Sequence, residues 1–307
     1  MIRTLLLLAA VAAVLALGAF WILTIPQTVP AAALEPHRAD LGNGKTLFYI
    51  GGCSSCHRSY GDKDPVKLGG GMALKSPFGT FYPPNISPDR KDGIGAWSEA
   101  NFVTAMTKGT SPKGRHYFPV FPYGSYQNMA LADVRDLFAY LKTLPAVDTQ
   151  SRGHAVSFPF KIRRLVGGWK FLFLASERYR PDPSQPPAVQ RGAYLVNGPG
   201  HCAECHSPRN ALGGVIARQR FAGGPNPEGE GWIPNITQAK LADWSAKDIA
   251  YMLKTGDTPD GDSVGGSMTE VVKNTAELSP ADRDAIAAYV KSLPPVTGPT
   301  PPKKKGD

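Results

Sequence analysis

Cysteine is scarce in this chain, with four in 307 residues. All four fall in two short runs, "CSSCH" (Cys53, Cys56, His57) and "CAECH" (Cys202, Cys205, His206), which leaves no thiol for a structural disulfide or a free catalytic nucleophile. Acidic residues are outnumbered 25 to 34, giving a net charge of +9. No nucleic-acid motif accompanies that excess, so anionic lipid or an acidic protein partner suits it better than DNA. Charged residues amount to only 19% and hydrophobic ones to 42%, which excludes a disordered chain. The length leaves room for two domains of ordinary size.

One long apolar run is present, at the start. Thr4 to Ile25 is an uncharged stretch of 22 residues preceded by the single charge of Arg3. Secretory signal cores are about 7–15 residues long, whereas a spanning helix needs about 20. The length therefore favours an uncleaved anchor, with Trp21 near an interface. The alternative is a long signal peptide cut after Ala31–Ala33. In both readings everything after Pro26 is exported.

Self-comparison shows an internal repeat. Cys53 and Cys202 are 149 residues apart, and "PPNISPD" (Asn85) and "IPNITQA" (Asn235) are 150 apart. Trp97 and Trp244, Gly109 and Gly256, and Pro112 and Pro259 pair at an offset of 147. Each copy reads as helical. A first helix leads into the Cys pair and a Gly/Pro-rich loop follows. A further helix starts at Ser98 or Ser245 and stops at Gly109 or Gly256, and a last helix contains Tyr140 or Tyr289. The expected division is an anchor or signal peptide over 1–33, domains over 34–148 and 188–295, a basic and aromatic linker over 149–187, and a flexible basic tail over 296–307. The linker carries Arg152, Lys161, Arg163, Arg164, Lys170, Arg178 and Arg180 among Phe158, Phe160, Trp169, Phe171 and Phe173. It reads equally as a surface for membrane or partner and as a clamp between the domains.

A C-x-x-C pair serves zinc, thiol redox or covalent haem. A zinc ribbon wants its second pair some 15–20 residues away, and a thioredoxin-like dithiol needs no following histidine. C-x-x-C-H in an exported helical domain reads as c-type haem attachment, the cysteines forming thioethers and the histidine serving as proximal ligand. His57 and His206 are therefore the expected proximal ligands, and two covalent haem c groups the expected cofactors. His201 is a loop residue. For the sixth position, Met268 lies in a Gly-rich stretch 21 residues before Tyr289, where a class I cytochrome c presents its methionine sulfur. Met252 reads as packing. The offset of 147 puts Phe121 opposite Met268, and phenylalanine cannot ligate iron. Met129, His116 or an open position are the alternatives for the first haem.

The strings "GGGMALKSPFGTFYPPNISPDRKDGIGAWSEANFV", "HYFPVFPYGSYQNM" and "GHCAECHSPRNALGG" resemble the cytochrome c subunits of membrane-bound periplasmic dehydrogenases for alcohols, aldehydes and gluconate. The resemblance spans nearly the whole chain after the apolar run. It implies an all-α fold of two tandem class I cytochrome c domains after an N-terminal transmembrane helix, in a bacterial inner membrane with the haem domains on the periplasmic side. It also implies electrons taken from a separate dehydrogenase catalytic subunit and passed to quinone, a soluble cytochrome or an oxidase. Two departures matter. The relatives carry three C-x-x-C-H motifs where this chain has two, and their "YPAMPY" is "FPVFPY" here. In dihaem relatives with "FPY" a methionine follows at the place of Met129, which supports it as ligand. The rival functions are a haem enzyme of the thiosulfate dehydrogenase or peroxidase kind, for which no catalytic side chain is recognisable, and a stand-alone anchored carrier.

Overall fold

The computed structural model describes residues 1–174 and 177–302. The chain opens with helix α1 (Ile2–Leu23), long and apolar enough to cross a membrane. Thr24 closes it, its hydroxyl donating to the Phe20 carbonyl at 2.7 Å.

The first copy contributes α2 (Leu41–Ile50), α3 (Cys53–His57), α4 (Glu99–Lys108), α5 (Tyr123–Tyr126) and α6 (Leu131–Leu141). After α7 (Arg163–Phe173) the second copy supplies α8 (Pro187–Asn197), α9 (Ala203–His206), α10 (Gln238–Leu241), α11 (Ala246–Thr255), α12 (Met268–Thr275) and α13 (Pro280–Ser292). The helix boundaries follow local chemistry. Ser98 and Ser245 each accept from the backbone N–H three residues on, and Asn101 and Asp248 return the bond, making a capping box at α4 and at α11. Both helices stop where Gly109 or Gly256 turns left-handed.

In each copy the first and last helices cross at a glycine. A Cβ on Gly44 would come within 2.3 Å of the Asp136 carbonyl oxygen, and one on Gly192 within 1.9 Å of that of Ala285. Only glycine lets these backbones approach so closely. Around the crossings lie Leu47, Phe48, Val134 and Leu137 in one copy and Leu195, Val196, Ile286 and Val290 in the other. The two groups belong to one continuous apolar core.

The expectation of an all-α fold holds for most of the chain, but two small sheets interrupt it. β1 (Leu74–Ser76) and β2 (Gly79–Phe81) form a hairpin, and β3 (Ala155–Val156) pairs with β2 from the linker. β4 (Gly224–Pro225) pairs with β5 (Trp232–Ile233). The hairpin forms because Ser76 holds its turn, accepting from the Phe78 N–H and donating to the Gly79 carbonyl. Of the stretch 296–307, Val296 donates to the Thr237 hydroxyl and Thr297 accepts from Gln219. Lys303–Asp307, with the lysine run, lie outside the described residues.

Candidate haem sites

Both C-x-x-C-H runs fold into a single helical turn, α3 and α9, which brings the two thiols and the imidazole of each run onto one short element. All four cysteine side chains are half-buried. Burial pushes Cys53 and Cys202 up to about 12, and Cys56 and Cys205 up to about 11. A redox dithiol works through a lowered pKa, so these pairs are poor thiolate nucleophiles.

Burial holds the His57 and His206 imidazoles below their ordinary pKa, in the neutral form. His57 Nδ1 lies 2.8 Å from the Pro84 carbonyl oxygen, and His206 Nδ1 lies 2.9 Å from that of Pro234. A carbonyl only accepts, so Nδ1 carries the proton in both rings and Nε2 keeps its lone pair. That is the tautomer and orientation a metal-ligating histidine needs. The donor set, two half-buried cysteines and one Nδ1-protonated imidazole per turn, fits covalent haem c.

The accepting carbonyls are fixed in turn. Asn85 donates to the Val147 carbonyl at 2.6 Å, Asn235 to the Val296 carbonyl at 2.8 Å. Each side-chain oxygen accepts from the N–H two residues on, Ser87 or Thr237, both at 2.8 Å. The prolines act through backbone atoms, which side-chain motifs do not reveal. The repeat of "PN-I-S/T" at 150 residues is the sequence signal that marks them.

At the residues expected as sixth ligands the copies differ. Met268 opens α12 and is half-buried. Phe121, its counterpart, is edge-on to Tyr117, Tyr123 and Tyr126, with ring centroids 5.7, 6.4 and 5.5 Å away. The Tyr126 hydroxyl is held well above its ordinary pKa by burial and then by the nearby Cys53 and Cys56 thiols. Met129 is 1% exposed and precedes α6, at the place Leu278 occupies before α13. His116 is turned to the end of α1: its Nε2 donates to the Thr24 carbonyl at 2.9 Å. His201 donates to the Gly51 carbonyl at 3.2 Å, and Met252 packs against the core.

The two sites meet in a crossed arrangement. α3 of the first copy lies against α12: Asn274 donates to the Ser55 hydroxyl at 2.9 Å, and Arg58 stands 3.7 Å from Glu270. α9 of the second copy lies against α5: Ser125 donates to Glu204 at 3.0 Å, and the His201 ring is edge-on to Tyr126 at 5.6 Å. Each cysteine turn thus rests on the segment of the other copy that carries or follows its expected sixth-ligand position.

The family model described as cytochrome c matches residues 41–145 and 189–294. The chain is 49% identical over 259 residues to "Diheme cytochrome c-type" of Cereibacter sphaeroides, covering 84% of this chain and 87% of that protein. It is 34% identical over 275 residues to the fructose dehydrogenase cytochrome subunit of Gluconobacter japonicus, and 34% identical over 279 residues to the cytochrome c subunit of alcohol dehydrogenase (quinone) of Gluconobacter oxydans. Each match covers 87% of this chain, but only 55% and 57% of those two relatives. The chain belongs to the cytochrome c family, and haem c is its cofactor.

Proposed function

We propose that this protein is a membrane-anchored dihaem electron-transfer subunit. It takes electrons from the catalytic subunit of a periplasmic dehydrogenase and delivers them to a respiratory-chain acceptor: quinone, a soluble cytochrome or an oxidase. Cys53, Cys56 and His57 hold one haem c, and Cys202, Cys205 and His206 the other, in two tandem class I cytochrome c domains. Bound haem supplies one-electron exchange at its iron; the protein fixes ligands, orientation and dielectric. Met268 supplies the sixth ligand in the second domain. Met129 is the sulfur proposed for the first, in the place that the resemblance gives it, while the His116 ring is tied to the end of α1 through the Thr24 carbonyl. α1 anchors the chain in the inner membrane with both domains on the periplasmic side.

The observation that carries this reading is the crossed contact of α3 with α12 and of α9 with α5. It brings each haem-holding turn against the other copy, which supports a relay between two centres. The test is purification of the tagged full-length chain from its own membranes in mild detergent. A dehydrogenase subunit is expected to accompany it, with that enzyme's substrate reducing both haems. A chain that purifies alone, binds carbon monoxide at half of its reduced haem and turns over a small substrate by itself would overturn the reading.

A further inference from the structure

Helix α7 buries only one side. Val166, Gly167 and Lys170 face inward. The Lys170 ammonium enters the carboxyl end of α4, donating to the Lys108 carbonyl at 2.6 Å and the Gly109 carbonyl at 2.7 Å, and lies 4.7 Å over the Tyr123 ring. A cation at a helix C-terminus satisfies carbonyls that have no partner within the helix. Arg163 donates to the His116 carbonyl at 3.1 Å and stacks 3.8 Å over Phe118. Further along, Trp169 donates to the Leu212 carbonyl at 2.9 Å. The linker helix is therefore fastened to both copies.

It is also fastened to α1. The Arg164 guanidinium lies 4.1 Å over the Trp21 ring and donates to the Trp21 carbonyl. A Cβ on Gly167 would stand 2.7 Å from the Thr24 Cβ, and one on Gly168 would be 3.2 Å from the Phe20 ring. The end of the apolar helix is seated on α7.

The outward side is apolar. Phe171 and Leu172 are each 62% exposed, Leu165 is exposed beside them, and Phe158 (78%), Phe160 and Ile162 precede the helix. Isolated exposed apolar residues are ordinary, but six large ones within residues 158–172 mark an interaction surface. Lys161 and Arg164 sit within the same stretch. Aromatic and aliphatic side chains mixed with cations suit the headgroup boundary of an anionic bilayer.

We infer that α7 and residues 158–162 form a second membrane contact, lying in the plane of the lipid surface and holding the first domain at a fixed tilt beside α1. The inference rests on the reading of α1 as a membrane anchor. Continuity with the end of α1 assigns the surface to lipid and not to a partner subunit, since a bilayer spanned by α1 ends where Trp21 and Thr24 meet α7.

The test uses the full-length holoprotein in oriented multilayers of phosphatidylcholine and phosphatidylglycerol with no other protein present. Angle-resolved electron paramagnetic resonance of the oxidised haems is the readout. The wild type is expected to give strongly angle-dependent signals. The triple variant Phe158→Ser, Phe171→Ser, Leu172→Ser is expected to stay in the membrane through an alkaline carbonate wash and to keep its haem spectrum. Its angle dependence is expected to collapse, while the control Phe171→Leu, Leu172→Ile keeps it. An angle dependence unchanged in the triple variant, or absent from the wild type in these partner-free bilayers, overturns the second contact and leaves the anchor standing. Release of wild type and variant alike by the carbonate wash removes the anchor reading itself.

Discussion

In the second copy Met268 stands at the start of a two-turn helix, in a glycine-rich stretch. In the first, Phe121 occupies the corresponding place among three tyrosine rings, one of which, Tyr123, lies under Lys170 of α7. Beneath them the copies scarcely differ: a one-turn helix, an imidazole bonded to a proline carbonyl, and an asparagine that pins the proline loop to the segment after the last helix. The turn that carries the cysteines and the histidine is built alike in both copies. The segments at Phe121 and Met268 are built differently, so a difference between the two centres is to be sought there.

The comparison breaks most completely if one site can be emptied without the other. Replacing Cys202 and Cys205 by serine should halve the haem-to-protein ratio, read by haem extraction chemistry and intact mass. Replacing Cys53 and Cys56 should do the same with the other half. A ratio that stays at two in either variant would refute the attachment sites.

Next come the sixth ligands. Met268→Leu should abolish one Fe–S charge-transfer band and lower one midpoint potential, because thioether ligation raises the potential. Met129→Leu should do the same for the other haem. The second copy carries Leu278 at that place, so the leucine is a packing match and tests ligation, not folding. If Met129→Leu leaves band and potentials unchanged, the first haem draws its sixth ligand from elsewhere or has none.

Stability comes third. The overpacking introduced by Gly192→Ala should cost about 3 kcal/mol, and that of Gly44→Ala about 2 kcal/mol. The order follows from approaches of 1.9 and 2.3 Å to a backbone carbonyl that cannot retreat. Urea titration of the holoprotein checks it, and equal costs would show that the two crossings relax alike.

The smallest effect is a pH dependence where the linker's His154 packs on the first copy. His154 stands between Phe81 and Phe118 and accepts the Tyr82 N–H at 3.1 Å through Nδ1. Burial pulls its pKa down to about 4. Between its ordinary value of about 6.5 and about 4, the unfolded chain binds a proton that the folded chain refuses. Stability should therefore fall as pH falls through that window and be flat with respect to this group above it. His154→Asn should reduce that slope in urea titrations at several pH values. An unchanged slope would assign the acid sensitivity to other groups.

Much of this was legible in the sequence because it is local or repeated. Ser98, Ser245, Gly109 and Gly256 bound their helices through contacts within four residues, and the repeat placed both cysteine turns. What the sequence did not disclose is made by distant partners. β3 comes from the linker to pair with β2, so Thr80 meets Ala155. His116, a candidate for iron by composition, bonds to Thr24, and Asn274 finds Ser55 from 219 residues away. Neither Lys170 nor the proline carbonyls carry a pattern that names their partners.

The crossed seating of α3 on α12 and α9 on α5 has a consequence for how the protein titrates. With a haem held at each turn as proposed, a charge gained or lost at one centre would act on the other across these contacts, and the two couples would be linked. Their measured midpoints then belong to the pair, as with any interacting titratable groups. A shift produced by Met129→Leu cannot be credited to one centre until the same substitution has been repeated on a Met268→Leu background.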